Sequence, residues 1–84
     1  MNSAIGSLVK KAREKKGLTQ TKAGKLLKIS EQFIGRVEAG EVPLPLSRAN
    51  KVRQVLRITR AQLISAYLRD YSKKVEDTIY NKKG

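Results

Sequence analysis

Eighty-four residues, 39% of them hydrophobic, form one domain too short for a second core, and a formal net charge of +12 gives it a field that draws polyanions. The chain has no Cys and no His, which removes disulfides, the usual metal ligands, and the commonest thiol nucleophile and general base of enzymes. Its seven carboxylates are scattered, and the adjacent Glu76 and Asp77 would point about 100° apart on a helix, so catalysis, a metal and a cofactor are not expected.

The pattern reads as helix throughout, because β-branched residues rarely alternate with polar ones and no Asn-Gly or Asp-Gly turn occurs. Residues 5–16 place Ile5, Leu8, Val9 and Ala12 on one face at helical period, among Lys10, Lys11, Arg13, Glu14 and Lys15. Lys15 and Lys16 suit the negative helix end, and Gly17 supplies a left-handed cap. Thr19 offers an N-cap for a second helix over 20–27, with Ala23, Leu26 and Leu27 inward. Gly24 costs about 1 kcal/mol inside a helix, which implies a compensating close approach of another helix backbone.

Lys28-Ile29-Ser30 is a three-residue break with Ser30 as the next N-cap. A third helix over 31–39 turns Phe33, Ile34 and Val37 inward and ends at Gly40. The Pro43/Pro45 stretch is a loop, and Pro45 is expected to open a fourth helix reaching Leu56, with Leu46, Ala49, Val52, Val55 and Leu56 inward. Thr59 and Gln62 have capping-box spacing and start a fifth helix carrying Leu63, Ile64, Tyr67 and Leu68. An apolar stripe continues through Tyr71, Val75 and Ile79, either as an extension of that helix or as a sixth, before residues 81–84 fray.

Charge is concentrated towards the N-terminus: residues 1–30 hold eight cations against one carboxylate, 31–60 six against three, and 61–84 five against three. A nucleic-acid partner is favoured over a surface that is basic only for solubility, since each neutralised phosphate releases counterions. Non-specific RNA binding is disfavoured by having only four aromatics, three of them in the C-terminal part, to serve as stacking platforms. No apolar run approaches the roughly 18 residues of a membrane span, and residues 1–6 do not have the pattern of a secretory signal. A soluble, cytoplasmic protein with no membrane partner is expected.

Two short helices separated by three residues fit a helix-turn-helix, and the particular residues sharpen this. Gly17-Leu18-Thr19-Gln20, then Ile29-Ser30, then Phe33-Ile34-Gly35-Arg36-Val37-Glu38-Ala39-Gly40 resembles the lambda-repressor and Cro-type helix-turn-helix family. The resemblance covers about residues 5–68. It implies an all-α, compact five-helix DNA-binding domain over 1–68 with a C-terminal helical extension over 69–84. It also implies a sequence-specific transcriptional regulator, bacterial or phage-encoded, whose third helix enters the major groove of double-stranded DNA.

Carried onto this sequence, the family's base contacts fall on Gln20, Glu31, Gln32 and Arg36, with lesser weight on Phe33 and Gly35. The chemistry agrees, because Gln pairs with adenine, Arg with guanine, and Glu accepts from a cytosine amine. Thr19, Lys22, Lys25, Lys28 and Ser30 are the candidate phosphate contacts. Arg13 and Glu38 match the family's structural ion pair between its first and third helices. Lys28 and Arg57 depart from the pattern, standing where the family usually has Gly, and the 41–46 loop lacks a basic clamp.

Tyr67, Tyr71, Val75 and Ile79 admit three accounts: packing back on the same chain, contact with a second copy in a homodimer, or contact with a different protein. The leading functional expectation is a homodimeric repressor or autoregulator at an inverted-repeat operator. The alternative is an antitoxin that binds a toxin through its C-terminal segment while repressing their operon.

Overall fold

The structure, a computed structural model, describes residues 3–80 as five helices: α1 (Ala4–Lys15), α2 (Gln20–Leu27), α3 (Glu31–Glu38), α4 (Leu46–Leu56) and α5 (Arg60–Tyr80). No strand occurs among the described residues. The C-terminal stripe lies on one continuous helix, so α5 extends and no sixth helix forms before residue 81.

Local chemistry sets most boundaries. Ser3, Thr19 and Ser30 each turn a hydroxyl oxygen to the backbone N–H three residues on, accepting from Gly6, Lys22 and Phe33. These bonds satisfy N–H groups that have no partner in a first helical turn. Thr59 and Gln62 form the reciprocal capping box, each side chain bonding the other's backbone N–H. α4 is an exception. Pro45 precedes it as a cap without a side-chain hydrogen bond, and the helix opens at Leu46 rather than at the proline.

At their C-terminal ends the helices stop in left-handed residues or short turns. Gly17 and Gly40 adopt φ of 75° and 77°, while Lys28 and Arg57 adopt φ of 56° and 58° without being glycine. An L-residue is disfavoured there by roughly 1–2 kcal/mol.

Ile5 and Val9 of α1, Ala23 and Leu27 of α2, Ile34 and Val37 of α3, and Ala49, Val52 and Leu56 of α4 form the core with Leu63 and Ala66 of α5. Two connector residues complete it: Leu44 between α3 and α4, and Ile58 between α4 and α5. Two expected core residues lie outside. Leu46 is 78% exposed and Leu26 50% exposed. At about 100° per residue, Leu46 stands well around α4 from the buried Ala49, Val52 and Leu56, and Leu26 stands beyond the edge that Ala23 and Leu27 bury. The other partly exposed apolar residues of the fourth helix fit better, Val55 packing half-buried against the core.

α5 fastens the N-terminus. The Asp70 carboxylate accepts the backbone N–H of Ala4 at 2.7 Å and of Ile5 at 3.0 Å, closing the positive end of α1. The expected boundary at residue 68 therefore lies inside a helix whose next turn bonds α1.

Candidate nucleic-acid interface

α3 is held against the rest of the domain by charge, by close backbone approach and by apolar packing. Arg13 of α1 donates from Nε to Glu38 Oε2 at 2.6 Å and from a terminal guanidinium nitrogen to Oε1 at 3.0 Å. Its other terminal nitrogen donates to the Leu18 carbonyl at 2.7 Å. The residue is only 8% exposed. The hydrogen bonds to Glu38 hold the guanidinium more strongly protonated than usual, against the opposing effect of burial. This fork ties the end of α3 to both α1 and the loop before α2. The expected pair of Arg13 and Glu38 is thus formed, and its geometry is bidentate.

Gly6 allows the same crossing from the other end of α1: a Cβ there would collide with the Val37 carbonyl and lie 2.8 Å from that of Glu38. Gly24 does the corresponding work within the turn. A Cβ on it would stand 2.6 Å from the Ile29 carbonyl and 3.4 Å from the Glu31 nitrogen. The close approach inferred from its helix-breaking cost exists: the nearest backbone is that of the turn at Ile29, with the first residue of α3 just beyond it. Lys28 occupies the left-handed position of that turn, and its conformation lets the Ile29 N–H reach the Gly24 carbonyl at 3.0 Å.

With Ile34 and Val37 buried and Phe33 half-buried, the residues left on the open side of α3 are Glu31, Gln32 and Arg36, all exposed. Their placement at the first, second and sixth positions of an eight-residue helix sets three hydrogen-bonding side chains along one outward edge. Lys22 and Lys25 of α2 and Lys28 of the turn are exposed, as are the capping residues Thr19 and Ser30. The two caps have committed their oxygens to their own helices.

Gln20 sits differently from the other expected base contacts. Its amide donates to Glu38 Oε1 at 3.1 Å and lies along Gly35, about 3.5 Å from where a Cβ would stand. It is half-buried at the seam between α2 and α3, extending the ion-pair network. A Cβ at Gly35 would meet that amide at ordinary van der Waals distance.

On α5, Tyr67 packs back on its own chain. Its hydroxyl donates to the Leu44 carbonyl at 2.8 Å, and burial pushes its pKa up. Tyr71 and Ile79 are 67% and 62% exposed, and Val75 is half-buried. The exposed stripe starts earlier than Tyr67 suggested, with Ile64 and Leu68 in line with Tyr71, Val75 and Ile79. Spacings of four, three, four and four residues keep these five on one helical face, away from the Leu63 and Ala66 face. α5 is therefore apolar on two sides, which alternation counting from Tyr67 merges into one.

No helix among the described residues is long and apolar enough to cross a membrane. A family model described as helix-turn-helix matches residues 9–63, from within α1 into the first turn of α5. Among curated proteins and among solved structures, nothing matches the chain. The matched span contains both short helices, the turn between them and both partners of the buried ion pair, and on that ground the chain belongs to the lambda-repressor/Cro-like helix-turn-helix family of DNA-binding regulators.

Proposed function

We propose that the protein is a homodimeric transcriptional repressor or autoregulator that reads an inverted-repeat operator through α3. The observation that carries this reading is the outward edge of α3. Glu31, Gln32 and Arg36 are free to meet base edges, while the opposite side is fixed by Ile34, Val37 and the Arg13–Glu38 fork. Rigid support matters because base readout depends on donor and acceptor positions, and a loose helix would lose the discrimination of about 1–3 kcal/mol per good contact.

Roles divide by chemistry. Gln32 suits adenine, Arg36 suits guanine, and Glu31 suits a cytosine amine. Lys22, Lys25 and Lys28 bracket that edge and neutralise phosphates, joined by backbone N–H groups at the starts of α2 and α3 near Thr19 and Ser30. Gln20 braces the seam, so its contribution to DNA binding is to hold α3 in register, with its remaining amide hydrogen available to a phosphate.

A single α3 spans only a few base pairs. The exposed Ile64, Leu68, Tyr71 and Ile79, with half-buried Val75 among them, offer a second copy a strip to cover, and two copies related by a twofold axis would read half-sites about 34 Å apart. The same strip is the observation behind the second reading, an antitoxin that uses α5 to mask a toxin, because it extends beyond the residues matched by the family.

Selection of bound duplexes from a random library tests the first reading, with an inverted repeat expected and unselective recovery overturning it. Tyr71→Ser with Ile79→Ser separates the two accounts of α5. If the strip joins two copies, the purified variant becomes monomeric and loses the symmetric site. If it masks a toxin, the variant keeps its own oligomeric state and DNA affinity but releases the partner. Truncation after residue 68 would be a poorer test, since it also removes the Asp70 cap on α1.

A further inference from the structure

We infer that the groove between the second half of α1 and the α4–α5 turn is a docking site for an acidic, amphipathic segment of another protein. The groove has a volume of about 480 Å³. Its floor is apolar, formed by half-buried Leu8 and Ala12 with buried Leu56 and Ile58. Its rim is cationic. Lys11, Lys15 and Lys16 stand along α1 and Arg57 stands opposite on the turn, and no carboxylate lines it. Gln62, the remaining lining residue, has its amide oxygen committed to the Thr59 backbone.

Two features set this rim apart from ordinary surface charge. The first is its uniform sign: the groove along the other side of α5 mixes Lys73 and Lys74 with Glu41, Asp70 and Asp77. The second is the backbone of Arg57. At φ 58° it holds a conformation that glycine adopts without penalty, so the position retains a guanidinium where the local fold favours none. Lysines near a helix C-terminus are explained in part by the helix dipole, which accounts for Lys15. It does not account for Lys11, a turn earlier, or for the strained arginine.

The combination selects the partner's chemistry. A phosphate backbone would use the cations and leave the apolar floor uncovered. A peptide with carboxylates along its edges and leucine-like side chains on one face would satisfy both. None of the lining residues belongs to α2 or α3, so such a segment would sit apart from the DNA-reading edge. This arrangement would let the protein hold a duplex and a protein partner together.

The test uses the full chain and a fluorescein-labelled peptide of Glu, Ala and Leu in amphipathic helical order, with fluorescence anisotropy read at about 0.15 M ionic strength. A control peptide keeps every Glu and replaces each Leu by Ser. The amphipathic peptide is expected to bind about tenfold more tightly than the control. Arg57→Gly is expected to weaken binding of the amphipathic peptide by about fivefold while raising Tm, because it removes the strain together with the cation. Lys25→Ser, which removes the same unit charge from α2, is expected to change peptide affinity less than about twofold. Equal binding of the two peptides, unchanged affinity in Arg57→Gly, an equal loss in Lys25→Ser, or displacement of the peptide by duplex DNA would each overturn the proposal.

Discussion

Arg13 and Glu38, 25 residues apart in sequence, meet side by side in a two-bond fork that ties the end of α3 to α1. The Glu38 side chain is 3% exposed, so its charge is tolerated only because Arg13 and Gln20 bond it. Glu38→Ala strands a buried guanidinium and is expected to cost about 3 kcal/mol in chemical denaturation. The double variant Arg13→Met/Glu38→Leu removes both charges and is expected to recover much of that loss. A double variant as unstable as the single one would mean that the geometry of the pair, and not the stranded charge, dominates.

Asp70 is the second long-range polar anchor. Asp70→Ala leaves the Ala4 and Ile5 N–H groups without their carboxylate and is expected to lower stability by about 1–2 kcal/mol. Hydrogen exchange should quicken first at those two amides. Unchanged protection there would show that water replaces the carboxylate at no cost.

Gly24→Ala opposes two effects. Helix propensity favours alanine by about 1 kcal/mol. A methyl group 2.6 Å from the Ile29 carbonyl requires the turn to open. The contact is to backbone and cannot be relieved by a side-chain rotation, so the substitution is expected to be destabilising in thermal unfolding. It should also weaken DNA binding by shifting α3. A rise in Tm would contradict this reading of the turn.

Lys28→Gly separates stability from affinity. Relief of the left-handed lysine is expected to stabilise the fold by about 1 kcal/mol. Loss of its cation is expected to weaken binding to all duplexes alike and to reduce the slope of log K against log salt by about one. A sequence-dependent loss would instead place Lys28 at a base edge.

Much of this architecture was legible from residue order, for definite reasons. Thr19, Ser30 and the Thr59/Gln62 pair mark helix starts through bonds spanning three residues, which local sequence specifies. α2 begins and ends where its caps predict. The Arg13–Glu38 pair was reached only through family resemblance, because nothing in the spacing of two charges 25 residues apart brings them together. Asp70 gave no signal at all: its partners are backbone N–H groups at the other end of the chain. Leu44 and Ile58 escaped because periodicity describes helices, and these two are buried from connectors. Leu26 and Leu46 were misplaced for the opposite reason, since apolar character at near-helical spacing does not say where the covering surface ends.

The same limit applied to α5. Tyr67 was grouped with the exposed stripe because steps of four connect it to Tyr71, yet it packs half-buried against the core and its hydroxyl finds the Leu44 carbonyl. Ile64 and Leu68 were set on one stripe with Leu63 and Tyr67 and are exposed, whereas Leu63 is buried. A helix with two apolar faces shows its division only when one face is seen to be covered.

The most direct measurement is a comparison of the sequence preferences of the unaltered protein, Arg36→Ala and Lys25→Ala, each selected against the same random duplex library. Arg36→Ala should lose preference at one base position per half-site, by about 1–3 kcal/mol, while Lys25→Ala should keep the full preference at lower affinity. An unaltered preference in Arg36→Ala would show that the outer edge of α3 does not face the bases.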